Sequence, residues 1–211
     1  MIRPAPGVAF TLAADGDMRS DEAARARAAS LLGIAVEWGT VDQVHGSDVV
    51  EVTAAGAAGR ADAIYTTHPG LPLAVFTADC AGVVIVADGA VGVAHAGWRG
   101  AEAGVVSALV EAMARTGFEP HAAYVGPHIR ACCFEVGPEV LTRFPSVAQT
   151  KTTWGTDSLD LVPVISGQIG VIPVELVGSC TRCTAGHHSH RADATADRMA
   201  AIGWIPASRP G

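Results

Sequence analysis

At 211 residues, 49% hydrophobic and 17% charged, the chain has enough apolar material for a substantial core and no composition that favours long disorder. A formal net charge of −7 argues against a tracker of nucleic-acid phosphates or a binder of anionic membranes. Nothing approaches the roughly 18 apolar residues of a membrane span, residues 8–14 are flanked too closely by Pro4, Pro6, Asp15 and Asp17 to read as a secretory signal, and five cysteines, an odd count, suit a reducing cytoplasm better than a disulfide framework. The expected unit is a single α+β domain over residues 1–211, with mixed β-sheets flanked by outer helices and a monomer favoured.

In chain order, residues 7–12 read as a strand. Ser20 is placed to cap a helix ending at Leu32, with Asp21 and Glu22 at its positive end, Ala24, Ala28, Leu31 and Leu32 as its apolar face and Gly33 at C′. Residues 36–44 form an expected strand that delivers Gln43-Val44-His45-Gly46, and 48–53 the next. His45 stands at a strand end before a glycine, where a side chain can project while the backbone turns. That position alone suits a structural histidine more readily than a ligand. Residues 54–60, AAGAAGR, read as a small-residue loop, 62–66 as a short strand, and Pro69-Gly70 as a turn.

The stretch 73–100 organises the rest. Apolar runs at 83–87 and 90–94 flank Asp88-Gly89, the signal for a hairpin whose type I′ turn needs positive φ at both central residues. With that two-residue loop Ala87 faces Ala90, Gly82 faces His95, and Cys80 would face Gly97. Cys80 and His95 then lie on one face as diagonal neighbours, about 7–8 Å apart at Cα. Such a pair suits two ligands of one ion or a thiol and its base; a buried cysteine beside a hydrogen-bonded histidine is the plainer alternative. Asp79 before Cys80, and Gly97, Trp98, Arg99 and Gly100 after His95, leave room for a ligand.

After Gly100 a helix is expected, with Val105, Val106, Leu109, Val110 and Met113 at helical spacing and Gly117 beyond its end. Its amino terminus with Arg99 could hold an oxyanion, or Arg99 could pair with a carboxylate. Residues 121–125 read as a strand leading to His128. Cys132-Cys133 reads as packing, since adjacent cysteines are poor joint ligands for one small ion. A short helix from Pro138 to Pro145, a loop at 154–158, a helix at 159–169 and a strand at 174–177 follow. Cys180-Thr-Arg-Cys183 matches C-x-x-C, a redox pair or half of a zinc site, with no second C-x-x-C to complete it. His187, His188 and His190 lie in a loop, and 193–201 reads as the last helix, closed by Gly203.

Taken together, QVHG at 43–46, TADC at 77–80, HAGWRG at 95–100, GP at 126–127, FEVG at 134–137, LDL at 159–161 and SCTRC at 179–183 make the chain resemble the YfiH family, also described as the DUF152 or laccase-domain family. HAGWRG is the most specific of these segments. The resemblance implies a zinc ion held by His45, Cys80 and His95, with copper a less favoured occupant, and a zinc-dependent purine nucleoside phosphorylase acting on adenosine, inosine, guanosine and methylthioadenosine with phosphate, with adenosine deaminase activity. It also implies a sandwich of mixed sheets with outer helices. Three protein ligands leave a fourth position open, the mark of a catalytic zinc. Arg99 is the candidate for phosphate, His128 for the base, and Arg191 a further substrate contact. The chain departs from the family at 187–192, where HHSHRA replaces an aromatic pair followed by a doubled arginine.

Three other functions fit parts of the pattern. Cys80 and His95 could form a nucleophile–base pair of a hydrolase acting on a cell-wall precursor, as a peptidoglycan editing factor. Two histidines and a cysteine are also the blue-copper set of a polyphenol oxidoreductase, although Met1, Met18, Met113 and Met199 all lie outside the motifs. A non-catalytic zinc-binding module would need a fourth ligand, for which Cys183 and His128 are candidates.

Overall fold

The computed structural model describes residues 1–206. Its strands are β1 (Ile2–Ala5), β2 (Val8–Phe10), β3 (Gly39–Asp42), β4 (Val49–Glu51), β5 (Gly56–Arg60), β6 (Ala63–Thr66), β7 (Leu73–Thr77), β8 (Ala81–Ala87), β9 (Ala90–Ala96), β10 (Pro120–Val125), β11 (Gln149–Lys151), β12 (Asp157–Leu159), β13 (Val174–Leu176) and β14 (Met199–Gly203). The α-helices are α1 (Glu22–Leu32), α2 (Trp98–Glu102), α3 (Val105–Arg115), α4 (Pro138–Leu141), α5 (Leu161–Ile169) and α6 (His190–Asp193). Two six-stranded sheets result, in the orders β1-β2-β14-β7-β3-β5 and β13-β10-β8-β9-β6-β4. Each mixes parallel and antiparallel pairs. The fold is α+β, as the sequence pattern indicates.

The two-residue period of the strands places the sheets face to face. Leu73 and Val75 of β7 and Ala201 of β14 share one core with Val84 of β8 and Val91 and Val93 of β9. Alternate residues turn outward. Val83 and Ile85 pack under Leu109 and Met113 of α3, while Ala74, Ala200 and Ile202 pack under Ala24 and Ala28 of α1. The contact between sheets is close enough that a Cβ at Gly82 would stand 2.5 Å from that of Ala201. Among the described residues, no helix is long and apolar enough to cross a membrane.

Several expectations need correction. Asp21, not Ser20, caps α1, its Oδ1 accepting from the amides of Ala23 (2.9 Å) and Ala24 (3.0 Å), and Leu31 is 63% exposed because Ala29 takes its place on the buried face. Residues 54–60 are not all loop: β5 adds a parallel edge to β3, since small residues leave its backbone free to pair. The hairpin register is as expected, with Ala87 opposite Ala90 and Gly82 opposite His95, but only Gly89 has positive φ (81°), so the turn is not type I′. The long helix after Gly100 is two helices broken at Gly104, whose φ of 83° an α-helix cannot contain. The expected last helix is instead β14, which pairs with β2 and β7 and is buried throughout. Burial between two partner strands overrides its Ala-rich composition.

Candidate functional site

The site forms at one end of the sandwich, where the chain passes between the sheets. His45 follows β3 of the first sheet, Cys80 sits in the turn from β7 to β8, and His95 is the penultimate residue of β9. Their ligand atoms all lie within 4.8 Å of one another. The Cys80 Sγ is 4.0 Å from the His45 Nε2, and the two imidazole rings meet edge to face at 4.8 Å between centroids.

Asp62 holds this arrangement. It is fully buried at the start of β6, and its Oδ1 lies 2.8 Å from the Nδ1 of His95. Its Oδ2 accepts from the backbone amides of Val44 (3.0 Å) and Gly46 (2.7 Å), which fixes the turn that carries His45 at φ 61°. One carboxylate thus orients two of the three side chains and leaves the His95 Nε2 free to face a ligand, as second-sphere carboxylates do for metal-bound histidines. Sequence reading did not single it out.

The glycines of HAGWRG have steric reasons. A Cβ on Gly97 would stand 2.9 Å from the Cys80 Sγ and 3.0 Å from the His45 Cδ2, and one on Gly100 would stand 3.1 Å from the Gly46 carbonyl and 3.2 Å from that of His95. Burial opposes ionisation of the Cys80 thiol, but His95 and His45 outweigh it and draw the thiol down to about 6. Burial likewise opposes the charged form of His95, yet Cys80 and Asp62 lift it to about 9. Two imidazoles and a thiolate at this spacing match the nitrogen and sulfur donors of a borderline-soft cation, and three of them leave a position open.

Above the trio lies a cavity of about 190 Å³, lined by His45, Cys80, Trp98, Arg99, Phe134 and Arg191 among others. A larger groove of about 630 Å³, lined by Arg19, Arg25 and Trp38 among others, holds none of the trio. Arg99 is exposed, its guanidinium 4.2 Å from the Trp98 ring centre. Both belong to the five-residue α2 rather than preceding a long helix, and at the true start of α3 the Val106 amide is taken by Gln168 (3.1 Å). Arg191 donates to the Glu135 carbonyl (2.7 Å) and lies over the Phe134 ring. Asp79, at φ 88°, accepts from Thr181 (2.6 Å) and Ser189 (2.7 Å) and from the Arg191 amide (2.6 Å), so the turn that carries Cys80 also anchors Arg191.

His128 is not brought to the cavity wall. It is fully buried, with Nδ1 2.8 Å from the Gly126 carbonyl, and burial with the nearby Arg130 charge pushes it down to about 4. Cys183 is not beside the trio either. It clusters with Cys132, Cys133 and Cys180, so the adjacent cysteines are not simply packing and the C-x-x-C has partners that sequence spacing does not reveal.

Residues 10–206 match the family model described as multi-copper polyphenol oxidoreductase laccase. The chain is 39% identical over 197 residues to a purine nucleoside phosphorylase of Streptomyces coelicolor, covering 86% of this chain and 81% of that one. It is 37% identical over 177 residues to the purine nucleoside phosphorylase YfiH of Escherichia coli, covering 78% and 72%. Among solved structures it is similar to YlmD from Geobacillus stearothermophilus, with a TM-score of 0.79 at 31% identity over 91% of this chain and 83% of that one. The YfiH protein of Bacillus licheniformis gives 0.77 at 28% identity, over 87% and 80%. With residues 10–206 and nearly its whole length matched, the chain belongs to the YfiH (DUF152, laccase-domain) family.

Proposed function

We propose that this chain is a zinc-dependent purine nucleoside phosphorylase of the cytoplasm, acting on adenosine, inosine, guanosine and methylthioadenosine and also deaminating adenosine. The observation that carries the reading is the clustering of His45, Cys80 and His95, of which His45 and Cys80 line a cavity that Arg99 and Arg191 also line, with His95 buried behind them. The names of the relatives support the reaction class.

The donor set fits zinc. A blue-copper site wants a weak axial ligand such as a thioether, and no methionine lines the cavity. When bound, zinc would supply Lewis acidity and lower the pKa of water towards about 7. The chain's own residues do the rest. Asp62 keeps a proton on the His95 Nδ1, so that Nε2 is the nitrogen that would give up its proton to take a metal. Arg99 and Arg191 bring positive charge to an otherwise acidic protein, as a phosphate dianion requires if it is to approach the ribose C1′ while the bond to the purine breaks. Trp98 and Phe134 offer aromatic surface for the base, in place of the aromatic pair missing from 187–192.

Adenosine and inosine, each incubated with and without phosphate beside the Cys80→Ala variant, test the reading. Free base that needs both phosphate and Cys80 supports the phosphorylase, inosine from adenosine supports the deaminase, and turnover unchanged in Cys80→Ala refutes both. A second reading is favoured by one observation: Cys80, His95 and Asp62 also make a thiolate, imidazole and carboxylate series in the order a cysteine hydrolase uses. It predicts activity that chelators leave intact and that alkylation of Cys80 abolishes.

A further inference from the structure

Four of the five cysteines are not used by the site described above, and they meet at one point. Cys132 and Cys133 come from the segment after β10, and Cys180 and Cys183 from the segment after β13. All four thiols are unpaired, and their Sγ atoms lie within 4.8 Å of one another. In a tetrahedral zinc site with Zn–S bonds of about 2.3 Å, two sulfurs stand about 3.8 Å apart. The Cys132 and Cys183 Sγ atoms are 3.8 Å apart. Adjacent cysteines in a strand would point to opposite faces, but residues 131–133 form a turn closed by the Cys133 and Phe134 amides on the Arg130 carbonyl (both 2.9 Å), and there both thiols reach the same neighbours.

The backbone around Cys180 suits a thiolate, whereas burial opposes ionisation of Cys132 and Cys133, whose protons a metal would have to displace. The Arg130 amide donates to the Cys180 Sγ at 3.4 Å, and the Arg130 guanidinium reaches the Gly178 carbonyl at the foot of the same turn. Arg182, inside the C-x-x-C, rests its guanidinium 4.6 Å from the Trp154 ring centre. Two of the thiols are buried and one is exposed, so a metal can enter while most of the shell stays dry.

We propose that Cys132, Cys133, Cys180 and Cys183 form a second metal site, a closed four-thiolate centre for zinc that ties two walls of the cavity together. Binding exchanges the thiol protons for sulfur–zinc bonds and releases them to solvent. With four protein ligands it has no open position, so its role is structural. The first segment supplies Ile129 and Phe134 to the cavity and the second supplies His190 and Arg191. Thr181, between the two cysteines of the C-x-x-C, bonds to Asp79 beside Cys80.

The test uses the His45→Ala Cys80→Ala protein, which lacks two ligands of the other centre, expressed in zinc-supplemented medium. One zinc per chain by plasma mass spectrometry, with an all-sulfur shell by X-ray absorption, is the expected result. Absence of zinc, nitrogen or oxygen in the shell, or a disulfide between Cys132 and Cys183 overturns the proposal. Should that variant fail to fold, the unaltered chain gives a second measurement by alkylation and peptide mapping. Cys132, Cys133, Cys180 and Cys183 are expected to resist labelling until a chelator is added and to label afterwards. Labelling before chelation, or none after it, overturns the proposal.

Discussion

Asp62→Asn changes one atom in a buried place and should cost both stability and metal affinity. The carboxylate serves three donors: the amides of Val44 and Gly46 on one oxygen and the His95 Nδ1 on the other. An asparagine has one acceptor oxygen and one amide nitrogen, so it cannot serve both sides. If its oxygen faces the two backbone amides, its NH₂ faces His95, which must then accept at Nδ1 and carry its proton on Nε2, the nitrogen proposed to bind zinc. In the opposite orientation two backbone amides lose their acceptor. Charge-assisted hydrogen bonds contribute about 1.5–3 kcal/mol each, and a buried donor left alone costs about 1–3 kcal/mol. A net loss near 3 kcal/mol follows, or a melting temperature lowered by about 6–12 °C for a chain of this size. Zinc affinity should fall about 10- to 100-fold. Urea unfolding of the metal-free protein and a competitive zinc titration measure the two effects. A variant within about 0.5 kcal/mol of the parent, with unchanged zinc affinity, would refute the role given to Asp62.

Gly97→Ala should displace Cys80 and His45, since its Cβ would meet both at 3.0 Å or less; weaker zinc binding in a folded protein is expected, and parental affinity would contradict the packing argument. In metal-free protein Cys80 should be alkylated by iodoacetamide with a midpoint near pH 6, because the lowered pKa keeps the thiolate populated down to that pH; an ordinary midpoint near about 8.5 would show that His95 and His45 do not stabilise it. His128, held neutral by burial with a folded pKa of about 4, takes up its proton first in the unfolded chain. Its share of stability is therefore complete above about pH 6.5 and is lost as pH falls through about 4, amounting to roughly 3 kcal/mol. His128→Gln should flatten that part of the acid unfolding curve, and an unchanged slope would count against it.

Local sequence made the hairpin legible, because Asp88-Gly89 sets the register that pairs Gly82 with His95, while Cys80 lies just outside the ladder in the turn from β7 to β8 and reaches His95 from there. QVHG alone suits a structural histidine, and His45 joined Cys80 and His95 as a proposed ligand only through the family resemblance; the glycines of HAGWRG, Gly97 and Gly100, do pack against the site. What sequence could not reveal depends on contacts between distant segments. Asp62 reads as an ordinary strand-end residue until β6 and β9 pair and place it beside His95. The four-cysteine cluster joins two turns about fifty positions apart, and no spacing rule connects them. β14 carries helix-forming alanines, yet two neighbouring strands and burial on both faces decide its state.

Zinc held by His45, Cys80 and His95 is proposed to be needed for phosphorolysis. Ribose 1-phosphate formed from inosine and phosphate should be measured with protein stripped of metal, with the same protein after zinc is restored, and with Cys80→Ala. The account predicts product only in the zinc-restored parent protein. Equal product from the stripped protein or from Cys80→Ala would contradict it.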